Sequence, residues 1–314
     1  MSIPQDEFAR QRELDTYRVV DTFPEAAYDD IVRLATILCG TPIALISLID
    51  RDRQWFKART GFELREGRRD EAFCEHAIRS PDLLLEVPDA RADPRFADNP
   101  LVTGGPAIRF YAGMPLVTPS GAPIGTVCVI DSEPRSLDDT QRAGLAALAR
   151  ITMNLLEARH RERELRIAAL LEAEAGAAPA TSPDPAPAVP ATIAIFEVVE
   201  LAAAAARLGD RALARAMRQL EQVLEAALAP GSGDSVSHAT GGADMVVVLH
   251  GADAAQALER LREAVAGFER DSTLSVLSAA AVAESPDEPL VAVFARADEA
   301  LSLAKDERCA ALER

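Results

Sequence analysis

The sequence predicts an α+β protein made of two separately folded units. Three observations carry that reading. A run of prolines among alanines, AGAAPATSPDPAPAVPA over residues 175–191, interrupts the chain, and such a segment supports neither a helix interior nor a packed core. Upstream of it, helical spacing alternates with short apolar runs that pair as hairpins. Downstream, the signals run strand, two helices, two strands, helix, strand, helix, an order that suits an antiparallel sheet with helices on one side. The domains are therefore 1–174, a linker over 175–191, and 192–314.

The elements follow in order. Residues 5–20 and 25–39 carry helical spacing, with Pro24 at a helix start. IALISLID (43–50) reads as a buried strand, answered by QWFKART (54–60) across a short turn. Strand alternation points one of Trp55 and Phe56 inward and the other outward. A short helix near 71–79, the strand LLLEV (83–87) and the irregular PDARADPRFADNP lead to a second hairpin, AIRFYAGMPLV with IGTVCVID. Ser136-Leu-Asp-Asp caps a helix running to about residue 174. On it Leu148, Ile151, Leu155, Ala158 and Leu165 fit an a/d seam interrupted by Glu162. Two readings stay open there, a helix that packs on its own domain and a homodimer helix over 138–174. Beyond the linker, TIAIFEVV (192–199) is a strand, and helices follow near 200–208 and 210–228. VSHATGGADMVVVL reads as two strands around a Gly-Gly turn. A helix over 252–269, the strand STLSVLSAAAV and a helix over 289–307 complete the chain.

Composition narrows the function. The chain has 314 residues, 48% hydrophobic and 26% charged, as a folded protein has. A net charge of −17 speaks against a sequence-blind nucleic-acid binder, whose surface must attract phosphate. Lys57 and Lys305 are the only lysines, so a polybasic membrane patch is absent. The longest apolar stretch is broken by Gly40 and Pro42 and is too short to span a bilayer. The N-terminus, charged from residue 6, lacks a signal-peptide pattern. Four separated cysteines (39, 74, 128 and 309) with no CxxC pair read as reduced thiols of a cytoplasmic protein.

Five blocks of the first half carry a family resemblance: YRVVDTFPEAAYDDIVRLA, PIALISLIDRDRQWFKARTGF, AFCEHAI, VPDARADPRFADNPLVTGGPAIRFYAGMPL and GAPIGTVCVID. Residues 10–160 resemble a GAF domain of the sensory type that precedes bacterial histidine kinases and diguanylate cyclases. The resemblance implies a central antiparallel sheet of five or six strands with flanking helices. It also implies a small-molecule pocket between that sheet and the 70–110 segment, without naming the ligand. The pocket candidates are Cys74, His76, Asp89, Arg95, Phe96, Asn99, Arg109 and Tyr111. Arg109 has two readings, a fork for an anionic ligand or an internal partner of Asp89 or Asp93 that pins a long loop. Cys74 and His76, two apart on a helix, diverge by about 200° and cannot share a metal unless the helix begins there. His76 then reads as a hydrogen-bonded core histidine.

The second half resembles a degenerate GGDEF domain, the diguanylate cyclase family, over about 192–308. The element order, GGADMVVVL at the signature hairpin and ARADEALSLAK near the C-terminus carry this likeness. It implies a ferredoxin-type α/β sandwich. In that family two GTP molecules, one on each subunit of a dimer, become cyclic di-GMP with Mg²⁺ between carboxylates and phosphates. The residual nucleotide and metal positions here are Glu197, Gly241, Gly242, Asp244 and Lys305. Ala243 replaces the first acid of the turn, Leu201-Ala202 stand at the family's Phe-Lys pair, alanines fill 202–206 where a guanine-reading asparagine belongs, and Cys309 replaces an arginine. Two-metal phosphoryl transfer needs converging carboxylates, so the expectation is a domain with no catalytic residues. At most it keeps residual Mg²⁺ binding with GTP. The resulting reading is a GAF small-molecule sensor coupled to an inactive GGDEF-like module that engages a protein partner. The alternative is a divergent diguanylate cyclase.

Overall fold

The computed structural model describes residues 7–177, 190–238, 244–251 and 253–312. The chain divides into two compact units, Met1–His160 and Arg161–Arg314, and each is described by itself.

In the first unit, helices α1 (Glu7–Tyr17) and α2 (Ala26–Cys39) precede strands β1 (Ile43–Ile49), β2 (Arg53–Thr60) and β3 (Glu66–Arg68). Helix α3 (Phe73–Ala77), strand β4 (Leu85–Val87), helix α4 (Pro100–Thr103), strands β5 (Phe110–Val117) and β6 (Pro123–Asp131), and helix α5 (Asp139–Ala177) follow. The strands form one six-stranded sheet in the order β3-β2-β1-β6-β5-β4, antiparallel throughout. β3 and α4 are additions to the sequence reading. Both are too short to carry a periodic pattern. The cap of α5 also moves. Asp138 accepts from the Gln141 amide at 2.8 Å while the Gln141 side chain receives the Asp138 amide at 3.0 Å, a reciprocal cap that Ser136 does not make.

Trp55 and Phe56 are both buried, which corrects the expectation that one faces outward. Phe56 joins the cluster that holds Leu45, Phe73, Phe96, Tyr111 and Cys128. Its neighbour turns to the opposite face, where α2 packs on β2. A sheet covered on both sides has no polar face, so alternation loses its inside-outside meaning.

The second unit contains strands β7 (Thr192–Val199), β8 (Ser235–His238), β9 (Asp244–Leu249) and β10 (Ser275–Val282). Its helices are α6 (Leu201–Leu208), α7 (Asp210–Ala227), α8 (Ala254–Ser272) and α9 (Leu290–Leu312). The sheet order is β10-β7-β9-β8, again all antiparallel. Helices lie on both faces, a correction to the one-sided expectation. Ile193, Ile195, Val246 and Val248 pack against Val293, Phe294, Ala297 and Leu301 of α9 and against Ile167 and Leu171 of α5. The alternate residues Ala194, Phe196, Val198, Met245 and Val247 are just as buried, on the side that α8 covers. Helix α5 crosses the boundary between the two ranges. Its residues from 161 onward serve the second unit's core, so that unit begins before the proline-rich linker. The linker's central residues and the Gly241-Gly242 turn lie outside the described residues.

An ionic strap holds α1 down. Arg69 reaches Glu7 at 2.8 Å and Glu75 at 2.9 Å, Arg51 reaches Asp15 at 2.7 Å, and Arg53 bridges Asp21 at 2.6 Å and Asp50 at 3.0 Å. Burial pushes the Glu7 carboxyl up, but hydrogen bonds from Arg10 and Arg69 outweigh it and hold the group at about 2, against 4.5 ordinarily. A depressed carboxyl stabilises the fold above its unfolded value and loses that contribution as pH falls through the folded one. Glu7→Gln is therefore expected to lower stability above pH 4.5 by less than ~1 kcal/mol, the pair being solvent-screened. Acid titrations of variant and parent followed by circular dichroism should converge near pH 2. Parallel curves over that range would remove Glu7 from the account.

Candidate functional site

The candidate pocket residues of the first unit separate into a core group and a rim group. Phe96 and Tyr111 are fully buried. Phe73 stacks on Phe96 with ring centroids 4.0 Å apart and leans on Tyr111 at 5.2 Å. His76 is half-buried with its ring edge-on to Phe96 at 4.8 Å, so its tie to the core is an aromatic contact. Burial together with the nearby Arg79 and Arg95 charges lowers its pKa.

On the rim, each polar candidate is engaged by its own chain. Asp89 holds Arg91 at 2.9 Å and Asp93 holds Arg95 at 2.6 Å. Those guanidinium groups keep both carboxyls below their ordinary range. Asn99 caps α4 through the Leu101 amide at 2.8 Å and donates to the Glu71 carbonyl at 2.9 Å. Arg109 donates to the carbonyls of Val102 at 2.8 Å and Ile108 at 3.0 Å. It pins the loop, then, but through backbone oxygens, because Asp89 and Asp93 already pair with the arginines two residues ahead of them. The structure brings Asp89 and Arg109 close enough for Arg109 to contribute to lowering the Asp89 carboxyl.

Four polar side chains converge on the Cys74 sulfur. The Sγ atom receives Gln54 Nε2 at 3.0 Å, Thr126 Oγ1 at 3.1 Å and Tyr111 Oη at 3.3 Å, and lies 3.9 Å from Cys128 Sγ. Gln54 also donates to Ser47 Oγ at 2.7 Å. Five elements meet at this sulfur: β1, β2, α3, β5 and β6. Burial pushes the Cys74 thiol up, but hydrogen bonds from Cys128, Thr126, Tyr111 and Ser47 reverse the sign and hold it below its ordinary value. Cys128 moves the opposite way, raised by its hydrogen bond to Cys74 and by burial. Gly113 makes room for this arrangement, since a Cβ there would lie 2.1 Å from Tyr111 Oη.

Sequence reasoning singled out Cys74 and Tyr111 and missed Ser47, Gln54, Thr126 and Cys128. The signal was present as polar residues inside otherwise apolar runs, IALISLID and IGTVCVID. Such residues in a buried strand must find partners.

Residues 24–156 match the family model described as GAF domain. These residues are a GAF domain. A cyclic di-GMP phosphodiesterase of Pseudomonas aeruginosa is 44% identical over 151 residues, covering 48% of this chain and 26% of that protein. The chain thus spans about a quarter of that relative's length. Among solved structures, the blue-light-absorbing PixJ GAF domain of Thermosynechococcus elongatus is 19% identical, with a TM-score of 0.39, covering 50% of this chain and 94% of that one. The free methionine-R-sulfoxide reductase of Neisseria meningitidis is also 19% identical, with a TM-score of 0.38, covering 52% and 97%.

Outside the GAF domain, the candidates Glu197, Asp244 and Lys305 come together. Glu197 and Asp244 are direct cross-strand partners on β7 and β9, and both are buried. Each carboxylate has an internal cation: Lys305 Nζ lies 2.6 Å from Glu197, and Arg163 of α5 lies 2.6 Å from Asp244. Arg163 was not among the sequence candidates. Its signal is a spacing of four with the buried Ile167 and Leu171, which sets the guanidinium on the face of α5 that meets the sheet. Gly241 and Gly242 lie outside the described residues. Among the described residues, no three His, Cys, Asp or Glu side chains are grouped as a metal ion would need. Nor is any described helix long and apolar enough to cross a membrane.

Gly113→Ala in the GAF domain is expected to destabilise the fold by about 1–3 kcal/mol, as overpacking of a filled core does. Denaturant unfolding of variant and parent measures it. An unchanged midpoint would mean that Tyr111 can move away without cost.

Proposed function

We propose that this chain is a cytoplasmic bacterial signalling protein in which the GAF domain senses a small molecule and the second unit is a catalytically inactive, GGDEF-like regulatory module. The observation that carries the proposal is the four-charge cluster of Glu197, Asp244, Lys305 and Arg163. Two carboxylates side by side on neighbouring strands are what a divalent cation would use. Here each is already paired with a cation of the same chain, Asp244 with the buried Arg163 and Glu197 with the partly buried Lys305, so the residues present do not fit a Mg²⁺ site. The alanine at 243 removes the remaining acid of that turn. The printed name of the Pseudomonas relative supports cyclic di-GMP signalling as the setting.

Without catalysis, the role left for the module is to bind a protein partner. Ile151 and Leu165 support self-association through α5 as one form of this. They stand fourteen residues apart, two heptads, and are 48% and 72% exposed, as equivalent positions of an unfilled heptad seam would be.

Calorimetric titration of the full chain with GTP and Mg²⁺, with the same samples assayed for cyclic di-GMP, tests the proposal. No product is expected; product formation abolished by Asp244→Ala would overturn it in favour of a divergent cyclase. The charge cluster makes a separate prediction. Arg163→Ala leaves a carboxylate buried without its partner and is expected to cost about 3–5 kcal/mol, whereas Arg163→Met with Asp244→Leu should recover most of it. Equal losses in the single and double variants would show that packing, not charge, holds α5 there.

A further inference from the structure

The proposed function makes no use of the paired cysteines beneath the GAF sheet, yet their surroundings differ from those of ordinary buried thiols. Cys39 is the comparison within the same domain. It is buried too, and burial together with the Asp138 charge pushes its thiol up to about 11. Such a thiol stays protonated and inert. Cys74 is as deeply buried but is met by the Gln54 amide, the Thr126 and Tyr111 hydroxyls and the Cys128 thiol. Donors converging on one sulfur favour its thiolate over its thiol. The second sulfur stands 3.9 Å away, and a disulfide needs the two to close by roughly 2 Å.

We propose that Cys74 and Cys128 form a hydroperoxide-reactive dithiol that closes to an intramolecular disulfide, with Cys74 as the attacking sulfur and Cys128 as the resolving one. In the first step the Cys74 thiolate attacks the terminal peroxide oxygen. An S–O bond forms, the O–O bond breaks, and the departing alkoxide or hydroxide takes a proton and leaves as alcohol or water. Cys74 is then a sulfenic acid, oxidised by two electrons, and the peroxide is reduced by two. In the second step the Cys128 sulfur attacks Cys74, the S–S bond forms, and the S–O bond breaks. The leaving hydroxide takes the Cys128 proton and departs as water. Overall, two thiols and one hydroperoxide give one disulfide, one alcohol (or water) and one further water.

The roles follow from the environment. Four hydrogen-bond donors serve Cys74, which suits it to be the thiolate. Cys128, raised by its neighbour and by burial, keeps its proton until the second step needs a leaving hydroxide to receive it. The consequence for the fold is local. Closing the bond removes Cys74 as an acceptor for Tyr111, Thr126 and Gln54, which tie β5, β6 and β2 to α3. Oxidation would therefore be felt at the base of the 70–110 segment, where the rim residues Asp89, Asn99 and Arg109 are anchored.

The test uses the full chain, hydrogen peroxide as oxidant, alkylation under denaturing conditions at timed intervals and peptide mass mapping of all four cysteines. Cys74 is expected to lose its free thiol at least ~10-fold faster than Cys39. The product should be a peptide pair joining 74 to 128, lighter by two hydrogens and restored by dithiothreitol. Cys128→Ser should leave a sulfenic acid on Cys74 that a cyclic dione traps. Three results would each overturn the proposal: equal rates at Cys74 and Cys39, oxidation of Cys74 to sulfinic acid with Cys128 still free, or a disulfide to any other cysteine. The mapping on the unaltered chain needs no variant, so a misfolded Cys128→Ser does not decide the outcome.

Discussion

Both sheets are covered on two faces, and most of what is specific about this molecule follows from that constraint. A central strand buried on both sides has nowhere to send a polar side chain except into the protein. β1 and β6 carry Ser47, Thr126 and Cys128, and β7 and β9 carry Glu197 and Asp244, all of them buried. Each set is satisfied by groups from other elements, so the polar residues dictate where α3, α5 and α9 must sit as firmly as the apolar ones do. The two polar clusters are thus solutions to one problem, met in one unit by hydrogen bonds to sulfur and in the other by ion pairs with Arg163 and Lys305.

The two solutions differ in what they permit. A sulfur surrounded by hydroxyl and amide donors is polar and reactive without carrying a counter-charge. A pair of carboxylates capped by arginine and lysine is chemically quiet, because the charges cancel and the geometry is filled. Breaking either has an uneven cost: removing one member leaves the other buried and unsatisfied, while replacing a whole pair by apolar groups does not. By the same asymmetry, losing Arg163, far in sequence from the acid it serves, should cost the second unit more than losing an exposed pair such as Arg262 with Glu259.

The rim of the GAF domain follows a different logic. Asp89, Asp93 and Asn99 belong to a loop that has little regular structure, and each spends its side chain on residues two positions away or on a helix cap. Arg109 reaches across to two carbonyls. These local bonds hold a long connection in shape without a sheet ladder. That is why acids and arginines are so dense in PDARADPRFADNP.

Sequence alone determined the strand and helix order of both units apart from β3 and α4, the GAF likeness, and the candidacy of Cys74, Tyr111, Glu197, Asp244 and Lys305 as site residues. Those features rest on local periodicity, punctuation by proline and glycine, and residue types in a fixed spacing, all of which are written along the chain. Tertiary structure alone decided which faces are covered, and with it the burial of both Trp55 and Phe56 and the placement of helices on two sides of the second sheet. It also decided partnership. Cys128 lies 54 residues from Cys74 and Arg163 lies 81 residues from Asp244. Contacts at such separations depend on how strands register and helices dock, and no local pattern encodes them.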